Sequence, residues 1–209
     1  FHVGTPLNKT PNEGCSSHRD YTSIDLEAIP DDYLPRSNYV PACSPEEYRR
    51  RAPKWNGTPI IDSFRHAHRE YVSLTGERTF LPTVLPPGVG HINAVISVTF
   101  DSPRSLGVFS ALCCSLAYDF FVRASGAEHI NINKLDSLPL PVVTKELETQ
   151  MLRAWLPLIC VSKHFAPLYS ELAGSVGLQL GWHKSVSAAS DSERRQKLVE
   201  LDALGALAL

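Results

Sequence analysis

The stretch that decides the fold is His91-Ile92-Asn93-Ala94-Val95-Ile96-Ser97-Val98-Thr99-Phe100, followed by Asp101-Ser102-Pro103. Its first ten residues alternate with period two. Ile92, Ala94, Ile96, Val98 and Phe100 fall on one side, and His91, Asn93, Ser97 and Thr99 mostly on the other, the pattern of a half-buried strand. Ser102-Pro103 then opens a helix, because proline suits the first helical position and a seryl oxygen can cap it. From there to about Arg123, closed by Gly126, residues Leu106, Val108, Phe109, Leu112, Leu116, Phe120 and Phe121 make the segment apolar on most sides. One central buried helix is expected. A strand feeding such a helix sets an α+β class with a small mixed or antiparallel sheet.

Toward the N-terminus, Ile60–Leu74 has strand character, with Arg65, Ala67, Arg69 and Tyr71 on one face and His66, His68, Glu70 and Val72 on the other. In Thr79–Leu85, Pro82 restricts a second apolar run to a sheet edge or a bulge, and Pro86-Pro87-Gly88-Val89-Gly90 reads as a turn. Ser44-Pro45-Glu46-Glu47 starts a short helix that Pro53 must end. Toward the C-terminus, a strand at His129–Asn133 precedes Leu138-Pro139-Leu140-Pro141. Leu147, Met151, Leu152, Trp155 and Ile159 then recur at helical spacing, with a kink at Pro157. Ser190-Asp191-Ser192-Glu193 is a capping box launching a last helix with Leu198, Leu201 and Leu204 on one side. Three parts are expected: a linker-like 1–29, an α+β domain over 30–141 and a helical spacer or tail over 142–209. Both ends read as cuts in a longer protein.

The 209 residues are 43% hydrophobic and 20% charged, with a formal net charge of −2, which excludes a disordered chain, a collagen and a coiled-coil rod. No apolar run approaches the ~20 residues of a membrane-spanning helix, so no membrane partner and a cytoplasmic location are expected. Cys15, Cys43, Cys113, Cys114 and Cys160 show no C-x-x-C spacing and read as reduced thiols. The glycosylation pattern at Asn8 and at Asn56-Gly57-Thr58 carries no weight in such a chain. Charge is uneven. Residues 36–78 hold eight bases against five acids, together with Trp55, His66, His68 and Tyr71, a composition that can meet phosphates.

Catalytic constellations are missing. The sequence contains no Gly-x-Gly-x-x-Gly, no Walker loop and no Gly-x-Ser-x-Gly elbow. His66, His68 and His91 are a candidate metal triad without a companion carboxylate or thiolate, and Cys15 with His18 a candidate nucleophile–base pair in a linker-like stretch. The segment is therefore expected to be no enzyme by itself and to carry neither metal nor cofactor.

Two matches point to a family. Ser125-Gly126-Ala127-Glu128-His129-Ile130-Asn131-Ile132-Asn133-Lys134-Leu135-Asp136-Ser137-Leu138-Pro139-Leu140-Pro141 resembles the end of target-recognition domains in restriction–modification systems, such as Type I specificity subunits. Tyr39–Arg51, Arg65–Tyr71, Glu77-Arg78-Thr79, Leu85–His91 and Glu193-Arg194-Arg195 … Leu204 resemble Type IIG-like adenine-specific DNA methyltransferases, including those of BREX and DISARM phage-defence islands. The family's Gly-rich S-adenosylmethionine motif and its Asn/Asp-Pro-Pro-aromatic motif are both lacking here. The resemblance therefore implies that methyl transfer and S-adenosylmethionine belong to a catalytic domain outside this sequence, and that this segment reads double-stranded DNA for it.

On that resemblance, Arg49, Arg50, Arg51 and Lys54 are expected to position phosphates, and Arg65, His66, His68, Arg69, His91 and Asn93 to read bases. The arginines from 49 to 69 are expected to converge on a concave cationic surface. Arg78 reads as a structural turn residue, and Asn131 and Asn133 as satisfying local backbone groups. The competing class is a protein-interaction or scaffold module whose tail residues Trp155, Leu156, Ile159, Leu201 and Leu204 dock a partner. A third is a metal-dependent hydrolase built on the histidines.

Overall fold

A computed structural model describes residues 9–17, 19–72 and 75–209. Asn8, His18 and the last two residues of the expected Ile60–Leu74 strand lie outside the described residues. In chain order the elements are β1 (Lys9–Pro11), β2 (Tyr21–Ser23), α1 (Pro45–Arg51), β3 (Lys54–Trp55), β4 (Thr58–Pro59), β5 (Arg65–Arg69), β6 (Pro82–Leu85) and β7 (Val95–Val98). The helices α2 (Pro103–Cys113), α3 (Leu116–Ala124), α4 (Ile132–Asp136), α5 (Lys145–Ile159), α6 (Ala166–Ala173) and α7 (Asp191–Ala208) follow. The class is α+β, with small antiparallel sheets and a C-terminal helix.

β5 is the middle strand of a three-stranded sheet ordered β6-β5-β7, with His66 opposite Val84 and Val98, and Ala67 opposite Thr83 and Ser97. Residues paired across strands share a face. His66, His68, Val84, Ile96 and Val98 therefore face α2, and Arg65, Ala67, Leu85, Ser97 and Val95 face the other way. Pro82 opens β6 at the sheet edge, where its missing N–H costs no ladder bond. The strand expected over His91–Phe100 forms only at Val95–Val98, because the chain turns at Asn93 and Ala94. Val98 and Phe100 pack against the main core as expected, while Val95 on the other face is the residue buried most deeply. The second face is also covered: Ala67, Leu85, Val89 and Val95 form a smaller core of their own.

The expected single helix after Pro103 is two helices, bent by 65° at the break. Ser115 is the reason. Its hydroxyl donates to the Leu112 carbonyl at 2.7 Å and accepts from the Tyr118 N–H at 3.4 Å, so one side chain closes α2 and caps α3. Gly205 of α7 lies against it, since a Cβ there would sit 2.5 Å from the Ser115 side chain. The strand expected at His129–Asn133 shrinks to a bridge between Tyr71 and His129, flanked by Val72 N–H to Glu128 and Ile130 N–H to Glu70. Beyond it the Asn131 side chain accepts from the Lys134 N–H at 3.0 Å and turns the chain into α4, because capping competes with the ladder.

α2 lies across the sheet, α5 packs on α2, and α7 packs on α5 and α3. One hydrophobic cluster runs from Phe80 through Trp155 to Leu201. Residues 142–209 pack onto the preceding helices through α5 and α7. Trp155, Leu156, Ile159 and Leu201 are buried in that cluster and Leu204 packs against it, so they do not form the docking face that the competing scaffold reading assigned to them. The capping box at Ser190 and Glu193 forms as read. Within 1–29, β1 and β2 pair as a hairpin where irregular chain was expected, and the Ile29 carbonyl accepts from the Lys184 ammonium at 3.1 Å. No single helix among the described residues is long and apolar enough to cross a membrane.

Candidate nucleic-acid interface

Ser44 caps α1 by accepting from the Glu47 N–H at 3.2 Å, Pro45 occupies the first turn, and Arg49, Arg50 and Arg51 fill the last. Cations at a helix C-terminus are favoured by its dipole. Ala52 and Pro53 end the helix, and the chain re-enters as the two-residue hairpin β3–β4. Asn56 (φ 48°) and Gly57 (φ 81°) both adopt positive φ, as a two-residue hairpin turn of this hand demands. Arg49 ties the hairpin to α1. Its Nε donates to both oxygens of Asp62 at 2.9 Å and its Nη2 to Oδ2 at 2.6 Å, three residues after β4. Arg50 bonds Glu47 through Nε and Nη2, both at 2.7 Å, and Arg51 reaches the same carboxylate at 2.5 Å. The Arg50 and Arg51 bonds hold the Glu47 carboxyl below its usual range, and Arg49 does the same for Asp62. Lys54 is exposed and has no ion-pair partner among the described residues.

Arg65, His66 and His68 are buried, at 1%, 0% and 0% exposure, which corrects the expectation that they face DNA bases. The Arg65 Nη2 donates to the Val89 carbonyl and its Nη1 to Ser97 Oγ at 3.5 Å. Ser97 Oγ is 2.7 Å from His91 Nε2, while His91 Nδ1 donates to the Ile92 carbonyl at 2.9 Å. Arg65 and His91 are thus parts of one internal network that fixes the loop between β6 and β7. Gly90 in that loop leaves room for Tyr48 of α1, whose hydroxyl would clash with a Cβ there. Burial lowers the Arg65 pKa to about 10, so the guanidinium stays charged at neutral pH.

On the opposite face, His66 Nδ1 is 3.0 Å from Ser110 Oγ of α2, and His68 Nε2 donates to the Ile130 carbonyl at 2.8 Å. Their rings lie against Phe80 and Phe109. Burial pushes the His68 pKa down to about 4 and that of His66 well below the ordinary value. Both imidazoles are neutral packing groups. They point away from His91, so the three histidines do not converge on a metal. Among the described residues no group of three or more His, Cys, Asp or Glu side chains could hold one. Cys15 donates to the Ser17 carbonyl at 3.1 Å, and its suggested partner His18 lies outside the described residues. All five cysteines are unpaired.

The concave surface expected from the arginines of positions 49–69 does not form, because Arg65 turns inward while Arg49, Arg50 and Arg51 stay on the outside. What remains exposed is α1's basic end, Lys54, Trp55 and Asn93, with Arg69 and His91 half-buried. Trp55 is exposed on a hairpin that the sequence signals, since Asn56-Gly57 between Trp55 and Thr58 is a strong short-range hairpin pattern. Comparison of the chain with protein-family models, with curated proteins and with solved structures finds no match.

Proposed function

We propose that this chain is a DNA target-recognition region of a restriction–modification or phage-defence adenine methyltransferase, working in the cytoplasm on double-stranded DNA. In this reading S-adenosylmethionine and methyl transfer belong to the parent protein's methyltransferase domain, and the segment itself performs no chemistry. The observation that carries it is the cationic knuckle of Arg49, Arg50, Arg51 and Lys54, whose arginine side chains are 61–73% exposed. Three arginines there share only two carboxylates, Glu47 and Asp62, and Lys54 pairs with none among the described residues. Exposed ion pairs of this kind hold little free energy and are screened by salt, so phosphates can displace the carboxylates. Phosphate contact gives register and affinity, whereas base choice is left to side chains that can still reach solvent, Asn93 and Arg69.

The test is binding of the chain to a labelled mixed-sequence duplex across a salt series. Reversal of Arg49, Arg50 and Arg51 to Glu is expected to abolish binding, and each single reversal that removes one phosphate contact to flatten the log–log salt slope by about 0.9. Unchanged affinity and slope overturn the reading. Asn93→Ala in the intact methylase is expected to relax the methylated motif, as read by long-read sequencing.

One observation favours a second reading, a protein-interaction module. Leu116, Phe120 and Phe121 of α3 are 53%, 65% and 41% exposed and border a hollow of about 510 Å³ with Ala206 of α7. Exposed apolar clusters mark contact surfaces. In the DNA reading this face seats the rest of the methylase; in the second it is the main function. Mobility of the intact parent on duplex DNA, with and without this region, separates the two.

A further inference from the structure

The β3–β4 hairpin presents one aromatic ring to solvent beside the basic end of α1. Trp55 is 48% exposed and has neither a hydrogen-bond nor a ring partner among the described residues. The other two tryptophans are committed elsewhere. Trp155 is wholly buried, and the Trp182 indole N–H donates to the Cys160 carbonyl at 2.7 Å. The support under Trp55 is stiff. A two-residue turn with both central residues at positive φ joins it to Thr58, the Ile60 N–H returns to the Pro53 carbonyl at 2.9 Å, and Asp62 clamps the base of the hairpin to Arg49. A large apolar ring left in water costs free energy, and here it is held rigid within a few residues of Arg50, Arg51 and Lys54. That pairing of a π surface with cations suits a nucleobase attached to its phosphates.

We propose that the β3–β4 hairpin is a stacking finger, in which Trp55 lays its indole on a base at a break in the duplex stack while Arg50, Arg51 and Lys54 hold the flanking phosphates. This rests on the DNA-recognition reading and adds to it the form of DNA that is preferred. Ordinary duplex offers no free base face, because every base is stacked on its neighbours. A duplex with a gap offers one, and stacking on an aromatic side chain is sequence-tolerant.

The experiment uses the full chain with two labelled duplexes of the same mixed sequence, one intact and one carrying a central abasic site opposite 2-aminopurine. Wild type is expected to bind the interrupted duplex about tenfold tighter than the intact one, the scale of a single stacking contact. Tryptophan emission should be quenched on binding. Trp55→Ala is expected to erase the preference and the quenching while leaving affinity for intact duplex within about twofold, and Trp55→Phe to keep most of the preference. Because Trp155 is buried, its emission and the far-ultraviolet dichroism of the variants report that they remain folded. Binding of both duplexes with a preference that survives Trp55→Ala, or with none in wild type, overturns the finger and leaves the recognition reading standing. Failure of wild type to bind either duplex at low salt overturns both.

Discussion

β5 sends polar side chains into both faces of its sheet, and the two faces use them in opposite ways. Toward α2 it places two imidazoles, which burial keeps uncharged among Phe80 and Phe109. Toward α1 it buries one guanidinium, that of Arg65, which stays charged and donates to the Val89 carbonyl and Ser97. The first face is deep enough to hold a neutral polar ring within a large core. The second is a thin core of Ala67, Leu85, Val89 and Val95, where a charge can use a loop carbonyl and a seryl oxygen. A His-x-His or Arg-x-x-x-Arg spacing on a strand therefore says nothing about exposure until both covers of the sheet are known.

That contrast can be broken most forcefully at Phe109, the ring that packs 4.9 Å from His66 and 5.1 Å from Phe100. Phe109→Ala is expected to cost about 3–5 kcal/mol in urea denaturation and to be the most damaging single change on either face. Next comes acid. His68 titrates at about 4 when folded against an ordinary 6.5. The unfolded chain takes up its proton first, so the contribution to stability is complete above pH 6.5 and is lost as pH falls toward 4. The loss expected from His68 is about 3 kcal/mol, and His66 adds in the same direction. His68→Gln should flatten the dependence of the denaturation midpoint on pH in that window. Across the same window Arg65 keeps its charge, and on its face only His91, which burial also holds below the ordinary value, adds to the loss in the same direction. The third and smallest effect sharpens the contrast from that side. Arg65→Ala is expected to cost about 2 kcal/mol by stranding the Val89 carbonyl. DNA affinity per folded molecule should not change, whereas a loss of site choice would return Arg65 to the reading set.

The local chemistry of capping was legible in the sequence, and its consequences at a distance were less so. Ser44-Pro45, Ser102-Pro103, Thr144 and the Ser190 box all start helices as their side chains suggest. The period-two run before Phe100 and the edge role of Pro82 also follow from short-range rules. Ser115 escaped notice because it sits inside an apolar run whose periodicity masks a cap. Asn131 was assigned to backbone satisfaction, yet its use as a helix start was hidden by the β-branched residues on either side. For the candidate site, the basic end of α1 was readable from charge alone. The inward turn of Arg65, His66 and His68 was not, since it depends on α2 covering one face and on Tyr48 reaching Gly90 over the other. Trp55 belonged to the basic, aromatic-bearing stretch by composition, but its exposure follows from the Asn56-Gly57 turn that lifts it off the core.

Asp202 ties distant parts of the chain together. One of its oxygens receives the Leu116 N–H at 2.6 Å, across 86 residues, and the other the Arg78 Nη2, across 124. A nascent chain leaving the ribosome can build the β5–β6 pair and α2 early, but the first amide of α3 and the Arg78 charge must wait until α7 has emerged. Synthesis thus leaves Leu116, Phe120 and Phe121 without their neighbouring helix until the residues up to Asp202, 86 beyond Leu116, have been made, an interval in which a chaperone has an apolar face to shield.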